Sequence, residues 1–312
     1  MKKLLFAGFL ALVPSLTFAQ TTSATDAGLA TPSGHELSVG AGHYVYTEPG
    51  SQSISIHGTK IEGDYTGTFS LNAGQHWFGQ VNVRASSGSV TYDGWCYPYL
   101  LEPNSSSPNG YELDLGDAST CSETGDSDWY VEGRALTGKD FVGEKWAWSP
   151  ATGLGLRHLS NGTTGVNGYR TDNYLYLPLM LTARTQTASH RVVSVTFEYD
   201  RLLHGWQTTR DSELGGGDVP ATPTAPAFTL NGFTDVSFSQ SGGWAIRASA
   251  KYQVAAHVSI EPYFIHWSVS ASPTNDETAT FTVKGITAQE VLGAYEPDNR
   301  TNELGVRLGF HF

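Results

Sequence analysis

His158 and Ser160 stand two residues apart in Gly155-Leu156-Arg157-His158-Leu159-Ser160-Asn161-Gly162. An imidazole and a hydroxyl on one face of an extended segment are the parts of a nucleophilic ester hydrolysis. The hydroxyl oxygen attacks a carbonyl carbon and a ring nitrogen takes its proton. A third polar group must hold the imidazole tautomer, and Arg170-Thr171-Asp172-Asn173-Tyr174 offers two candidates. Spacing selects Asp172. Alternation selects Asn173, which shares a face with Leu175, Leu177, Leu179 and Leu181. Backbone amides near Asn161 and Gly162, or a calcium ion under this reading only, would stabilise the oxyanion; no other cofactor or metal is implied. The plain alternative is strand-end polarity without chemistry. The choice depends on where the faces of these strands point.

The N-terminus reads as an export signal. Lys2 and Lys3 precede an apolar run from Leu4 to Val13, and Thr17-Phe18-Ala19 offers small residues for cleavage, so 1–19 is expected to be a removable signal peptide. The run is about ten residues against the roughly 20 that a helical span needs, and no other stretch approaches that length, so a membrane crossing would use strands. Residues 20–35 form a polar leader, expected either to be disordered or to cap the periplasmic mouth of a strand-built barrel. Without Lys2 and Lys3 the 18 basic residues become 16 against 30 acidic ones, a net charge of −14. Nothing here makes the basic patch that a nucleic-acid partner requires. Cys96 and Cys121 lie in one Pro/Ser/Gly-rich stretch and are expected to pair in an oxidising compartment. Their spacing makes a poor zinc site.

Alternating apolar and polar residues recur at 36–48, 58–72, 77–92, 127–138, 151–160, 171–184, 191–207, 234–252, 257–270 and 301–312. Short connections at 73–76, 185–190 and 253–256, with a longer one at 139–150, alternate with long loops at 93–126, 161–170, 208–233 and 271–300 and a smaller one at 49–57. The pattern predicts an all-β, antiparallel up-and-down transmembrane barrel of about ten strands (8 to 12) over 36–312, with the long acidic loops at the cell surface. The 139–150 segment leaves room for a further pairing. Trp95, Tyr97, Tyr99, Trp129, Trp206, Trp244 and Trp267 fall near strand ends, where interfacial aromatic belts sit.

Parity then says what such a barrel holds. Ile61, Tyr65, Phe69 and Leu71 oppose Lys60, Glu62, Asp64 and Thr66; Val193, Val195, Phe197 and Tyr199 oppose Ser194, Thr196, Glu198 and Asp200; Trp244, Ile246 and Tyr252 oppose Arg247 and Lys251. Arg84, Glu132, Arg134, Arg157, Glu303 and Arg307 join the polar side. Both signs of charge in so narrow a lumen are expected to pair and fill it. A selective conduit lined by the same charges is the alternative. With Arg157 inward, Leu154, Leu156, His158 and Ser160 point to lipid, which is where an enzyme that cuts membrane lipid needs its nucleophile.

At the C-terminus, Leu304, Val306, Leu308, Phe310 and Phe312 alternate with Glu303, Gly305, Arg307, Gly309 and His311. This closely resembles the terminal strand of Gram-negative outer-membrane β-barrels. The resemblance implies an outer-membrane location, contact with outer-membrane lipid and lipopolysaccharide, and recognition by the barrel-assembly machinery through the last strand.

Locally, His158-Leu159-Ser160-Asn161-Gly162 with the polar residue on the next strand is similar to the active-site strand of outer-membrane phospholipase A and lipid A 3-O-deacylase. That likeness covers about 20 residues and implies a lipid ester hydrolase. The segments GLGLRHLSNG, GYRTDNYLYLPL, VSIEPYFIHW and YEPDNRTNELGVRLGFHF instead resemble a widespread group of outer-membrane β-barrel proteins with no established activity. In that reading His158 is a residue of the aromatic girdle. Omptin proteases share the ten-stranded architecture, but Asp211, Glu213, His204 and His266 match no omptin motif. The expectation is a monomeric, non-enzymatic surface protein acting in adhesion, ligand binding or envelope structure, with the lipid hydrolase and the narrow channel as alternatives.

Overall fold

The computed structural model describes residues 28–50, 54–162, 169–214 and 216–312; the expected signal peptide and the first half of the leader, 20–27, lie outside them. In chain order the strands are β1 (Gly34–Glu48), β2 (Ile54–Asn72), β3 (Trp77–Cys96), β4 (Tyr99–Pro103), β5 (Tyr111–Leu115) and β6 (Ser119–Lys139). Next come β7 (Phe141–Val142), β8 (Trp146–Gly162), β9 (Tyr169–Gln186), β10 (Val192–Arg210), β11 (Gly217–Val219) and β12 (Phe228–Phe233). The last are β13 (Val236–Gln240), β14 (Gly243–Ala255), β15 (Val258–Val269), β16 (Asn275–Val283), β17 (Ile286–Ala294) and β18 (Asn299–His311).

One twelve-stranded sheet closes on itself through antiparallel pairing of β1 with β18. Within it β7 is a two-residue flap on β8, and β13 and β14 are one stave paired along β10. The wall is therefore a closed barrel of ten staves: β1, β2, β3, β6, β8, β9, β10, β13–β14, β15 and β18. Each of the ten alternating stretches read from the sequence becomes one stave, and the 139–150 segment does hold an extra pairing, that of β7 with β8.

Closure forces the period-2 pattern into an inside and an outside. Leu37, Val39, Ile61, Leu154, Leu156, Leu179, Phe197, Leu304 and Val306 are exposed on the outside, as lipid contact requires, while Glu62, Asp64, Arg84, Glu132, Arg157 and Glu303 are buried inside. Inward Gly155 and Gly305 leave room for the Tyr176 and Tyr263 rings, with which a Cβ would collide. The chain termini of the barrel and the short turns lie at one end, the periplasmic end of an outer-membrane barrel; the long connections lie at the other.

The long connections are not loops throughout. A four-stranded sheet, β11-β12-β16-β17, and the β4–β5 hairpin form a cap beyond the outer rim. Leu101 and Leu113 of the hairpin join Phe228, Leu230, Ala279, Phe281, Val283 and Ala288 in one buried apolar cluster. The turn from β16 to β17 is two residues, Lys284 and Gly285, both at positive φ (50° and 82°), which is the geometry whose twist matches a tight hairpin. Cys96 and Cys121 form a disulfide across the ends of β3 and β6, at the base of the hairpin. Two expected belt residues also move: Trp267 faces the lumen at 2 % exposure, and Tyr99 packs against the cap cluster.

Candidate functional site

Wall, lumen and cap each hold residues of chemical interest. On the wall, register sets His158 of β8 beside Asn173 of β9, both outward. Nδ1 of His158 donates to Oδ1 of Asn173 at 2.8 Å, since an amide oxygen only accepts; in the neutral ring Nε2 is then the free acceptor. Trp129 of β6 leans on the same imidazole, ring centroids 5.3 Å apart and tilted by 51°. Asp172 does not share this face. The pleat turns it into the lumen, where it is 4 % exposed, so the residue selected by spacing is corrected to Asn173. Ser160 is outward like His158, but its hydroxyl donates to the Tyr169 hydroxyl at 2.6 Å, and it is 1 % exposed. The oxygen a hydrolase would use as nucleophile is thus engaged by a phenol and covered.

The wall carries a second copy of this arrangement, which sequence reasoning did not pair. His266 of β15 donates from Nδ1 to Oδ1 of Asn302 on β18, again at 2.8 Å. Trp244 of β14 tilts against His266 at 5.1 Å and 47°. Even the serine repeats: Ser160 pairs in register with Trp129, and Ser268 with Trp244. His-x-Ser occurs at 158–160 and again at 266–268, and that was the available signal. Both clusters sit where the apolar run of their strands ends: after Leu154 and Leu156 on β8, and after Ile260, Pro262 and Phe264 on β15.

Inside, ion pairs join neighbouring staves and also cross the lumen between distant ones. Arg247 of β14 reaches Glu132 of β6 at 2.6 and 2.7 Å, and Asp200 of β10 at 2.7 Å. Arg134 holds Glu198 at 2.7 Å. Arg84 binds Glu62 and also Glu303, and Arg307 bridges Asp64 (3.3 Å) and Glu261 (3.1 Å). Lys251 reaches Glu36 on β1 at 2.6 Å. Lys60 pairs with Asp128 at 2.5 Å, with its ammonium 3.3 Å from the centroid of the Tyr44 ring. Arg157 lies 4.1 Å over the Tyr130 ring and 5.6 Å from that of Trp267. Glu36, Asp128 and Glu261 complete this network; parity alone would have placed them inside.

The two mouths differ. At the periplasmic end a cavity of about 520 Å³ is lined by Arg134, Glu198, Lys251, Arg307 and the end of the leader. Thr31 of the leader binds Asp140 through its amide (2.8 Å) and hydroxyl (2.6 Å), and the Leu29 side chain is buried. At the outer end, Glu296 descends from the connection before β18 to meet Tyr46 (3.2 Å) and Arg170 (3.6 Å).

In the cap, Glu277 is half-buried beside Asp211. Burial, then the hydrogen bond and charge of Asp211, push its carboxyl up to about 8. Tyr99 is pushed up to about 12 by burial and by the charges of Glu277 and Asp211. Asp211 and Glu213 belong to a short turn after β10, whereas His204 stacks on Trp206 on the wall and His266 sits in its own cluster. Among the described residues, no group of three or more His, Cys, Asp or Glu side chains is arranged to hold a metal ion.

No family model matches the chain, and no curated protein matches its sequence. Solved structures do. The outer membrane protease OmpT from Escherichia coli superposes with a TM-score of 0.50 at 10 % identity, over 90 % of this chain and 98 % of that one. The Pseudomonas putida toluene transporter TodX gives a TM-score of 0.31 at 7 % identity, covering 90 % of each chain. OprG from Pseudomonas aeruginosa gives 0.25 at 9 % identity, over 91 % of this chain and 99 % of that one. Identities this low speak to fold alone. Closed wall, lipid-type exterior and the OmpT superposition together make the fold that of an outer-membrane β-barrel.

Proposed function

We propose that this chain is a monomeric integral outer-membrane protein whose barrel is a sealed pedestal for the cap, and that it acts through the cap in adhesion, ligand binding or envelope structure. The observation that carries this reading is the lumen. Ion pairs joining β14 to β6, and a cation–aromatic layer of Arg157, Tyr130 and Trp267, occupy its cross-section. A conduit would have to part them. The cap, in contrast, has its own apolar core and presents strands outside the barrel. Outer-leaflet lipid and lipopolysaccharide surround the wall, and Leu304, Val306, Leu308, Phe310 and Phe312 form the strand offered to the assembly machinery. The test compares cells displaying the full chain with cells in which a short turn replaces residues 275–294, on arrays of glycans and extracellular-matrix proteins. Binding by the full chain that vanishes with the hairpin supports the reading; binding that survives its removal contradicts it.

A second reading, lipid ester hydrolysis, has one observation in its favour: Asn173 holds the His158 imidazole with Nε2 free on the lipid side. It requires Ser160 to leave Tyr169. Refolded protein given phospholipid and lipid A, with and without calcium, decides it. Fatty-acid release abolished by Ser160→Ala supports the hydrolase, and release equal to that of the variant removes it.

A further inference from the structure

We propose that the outer wall carries a binding site for a phosphorylated glycolipid of the outer leaflet on the face formed by β10, β14, β15 and β18. Register builds the site. Arg201, Trp244, Ser268 and Arg300 are successive partners along one row across these four strands. The next row toward the membrane centre is Tyr199, Ile246, His266 and Asn302. Neighbouring strands lie about 4.8 Å apart, so the two arginines bracket Trp244 and Ser268 at a separation of about 14 Å.

Three features select the occupant. The first is charge. Arg201 and Arg300 are exposed, and neither has a carboxylate partner among the described residues. The outward residues of these four strands include no Asp or Glu at all. The nearest acid along β18, Asp298, accepts from the Ala271 amide instead. The second is depth. On β18 the residues from Leu304 to Phe312 present an unbroken apolar face to lipid, and Asn302 and Arg300 lie directly beyond it. A guanidinium at the level of Arg300 is costly against acyl chain and favourable against phosphate, which it binds through a planar fork, whereas on β10 the outward apolar face continues past Arg201 to Leu203 and Trp206. The third is the surface between the cations. The Trp244 indole, tilted over a His266 ring that Asn302 holds with Nε2 free, offers an aromatic face and a polar edge, suited to a sugar ring. Two cations flanking an aromatic platform fit a headgroup carrying two phosphates on a sugar core better than a single-phosphate lipid.

The first wall cluster is the internal control. Its rows, Ser87-Trp129-Ser160-Thr171-Thr208 and Ala85-Val131-His158-Asn173-Trp206, repeat the Trp–His–Asn geometry without any arginine. The nearest outward one, Arg210, pairs with Glu213 at 3.5 Å.

The experiment is native mass spectrometry of the full chain in detergent, titrated with diphosphorylated lipid A, its dephosphorylated form and phosphatidylglycerol. The wild type is expected to bind the diphosphorylated lipid A at least tenfold more tightly than either other lipid. Arg201→Ala/Arg300→Ala should lose that preference, whereas Arg210→Ala and His158→Ala should keep it. Heat-modified gel mobility checks that each barrel is folded; both arginines are exposed, so the double variant leaves the interior untouched. Equal affinity in the wild type and the folded double variant overturns the site. Equal affinity for phosphatidylglycerol and lipid A overturns the glycolipid assignment.

Discussion

Barrel and cap both enclose side chains, but the barrel encloses ions and the cap encloses hydrocarbon. In the cap, Phe228, Phe281 and Val283 turn away from water as in any soluble sandwich. In the barrel the apolar residues are spent on the lipid side, so the inward half of each strand is left with Glu62, Arg84, Glu132, Glu198, Arg247 and their neighbours. A closed sheet of this width cannot keep such charges solvated. They persist because they pair, some with the neighbouring strand, as Arg84 with Glu62 and Arg247 with Asp200, and some across the lumen, as Arg247 with Glu132, which ties the wall across its diameter. The cap is held by its apolar core, by its strand ladders, by the Glu290 carboxylate accepting from the Leu113 amide at 2.6 Å, and by one covalent link.

The largest effect should come from breaking the lumen network. Arg247→Met strands Glu132 and Asp200, which Arg247 binds at 2.6 and 2.7 Å. A buried charge left without its partner costs about 3–5 kcal/mol. Urea unfolding in lipid vesicles should show that loss for the whole barrel, and a change below about 1 kcal/mol, the range of exposed pairs, would mean that the lumen charges are solvated like surface ions. Phe281→Ala removes a ring that is 1 % exposed in the cap, a change that costs about 3–5 kcal/mol in a packed core. Here the loss should be local: hydrogen exchange should quicken in β12, β16 and β17 while the barrel strands stay protected.

Reducing the Cys96–Cys121 disulfide opens a loop spanning 25 residues, for about 3 kcal/mol in the chain-entropy model. Because the link sits at the base of the β4–β5 hairpin, limited proteolysis should then cut 97–118 first and leave the barrel intact.

The most confined effect is on pH. Glu277 has its folded-state carboxyl raised to about 8, above its ordinary value near 4.5, by burial and Asp211. An acid raised on folding stabilises most below its unfolded pKa, and that contribution is lost as pH rises through the folded value. Cap stability should therefore fall between about pH 4.5 and 8 and level off above. Glu277→Gln should flatten that slope in a hydrogen-exchange series, and an unchanged slope would assign it elsewhere.

Much of the barrel was legible because a closed wall imposes strict alternation, and charges such as Glu198 and Arg247 mark its inner face. The cap was not. Thr278-Ala279-Thr280-Phe281-Thr282-Val283 alternates as a wall strand does, and nothing local says that its apolar side faces another sheet and not lipid. The His158 cluster was half legible: parity chose Asn173, but the Tyr169 hydroxyl that engages Ser160 arrives from the next strand across a loop. The second cluster was hidden by distance, since His266 and Asn302 are 36 residues apart with a whole cap hairpin between them.

Planar-bilayer recording of the refolded full chain shows whether the lumen is closed. A sealed barrel predicts no stepwise conductance above the bare membrane, with openings emerging only when Arg157→Ala and Trp267→Ala are combined to remove the layer over Tyr130. Regular single-channel steps from the wild-type chain would contradict it and make the charged lumen a conduit.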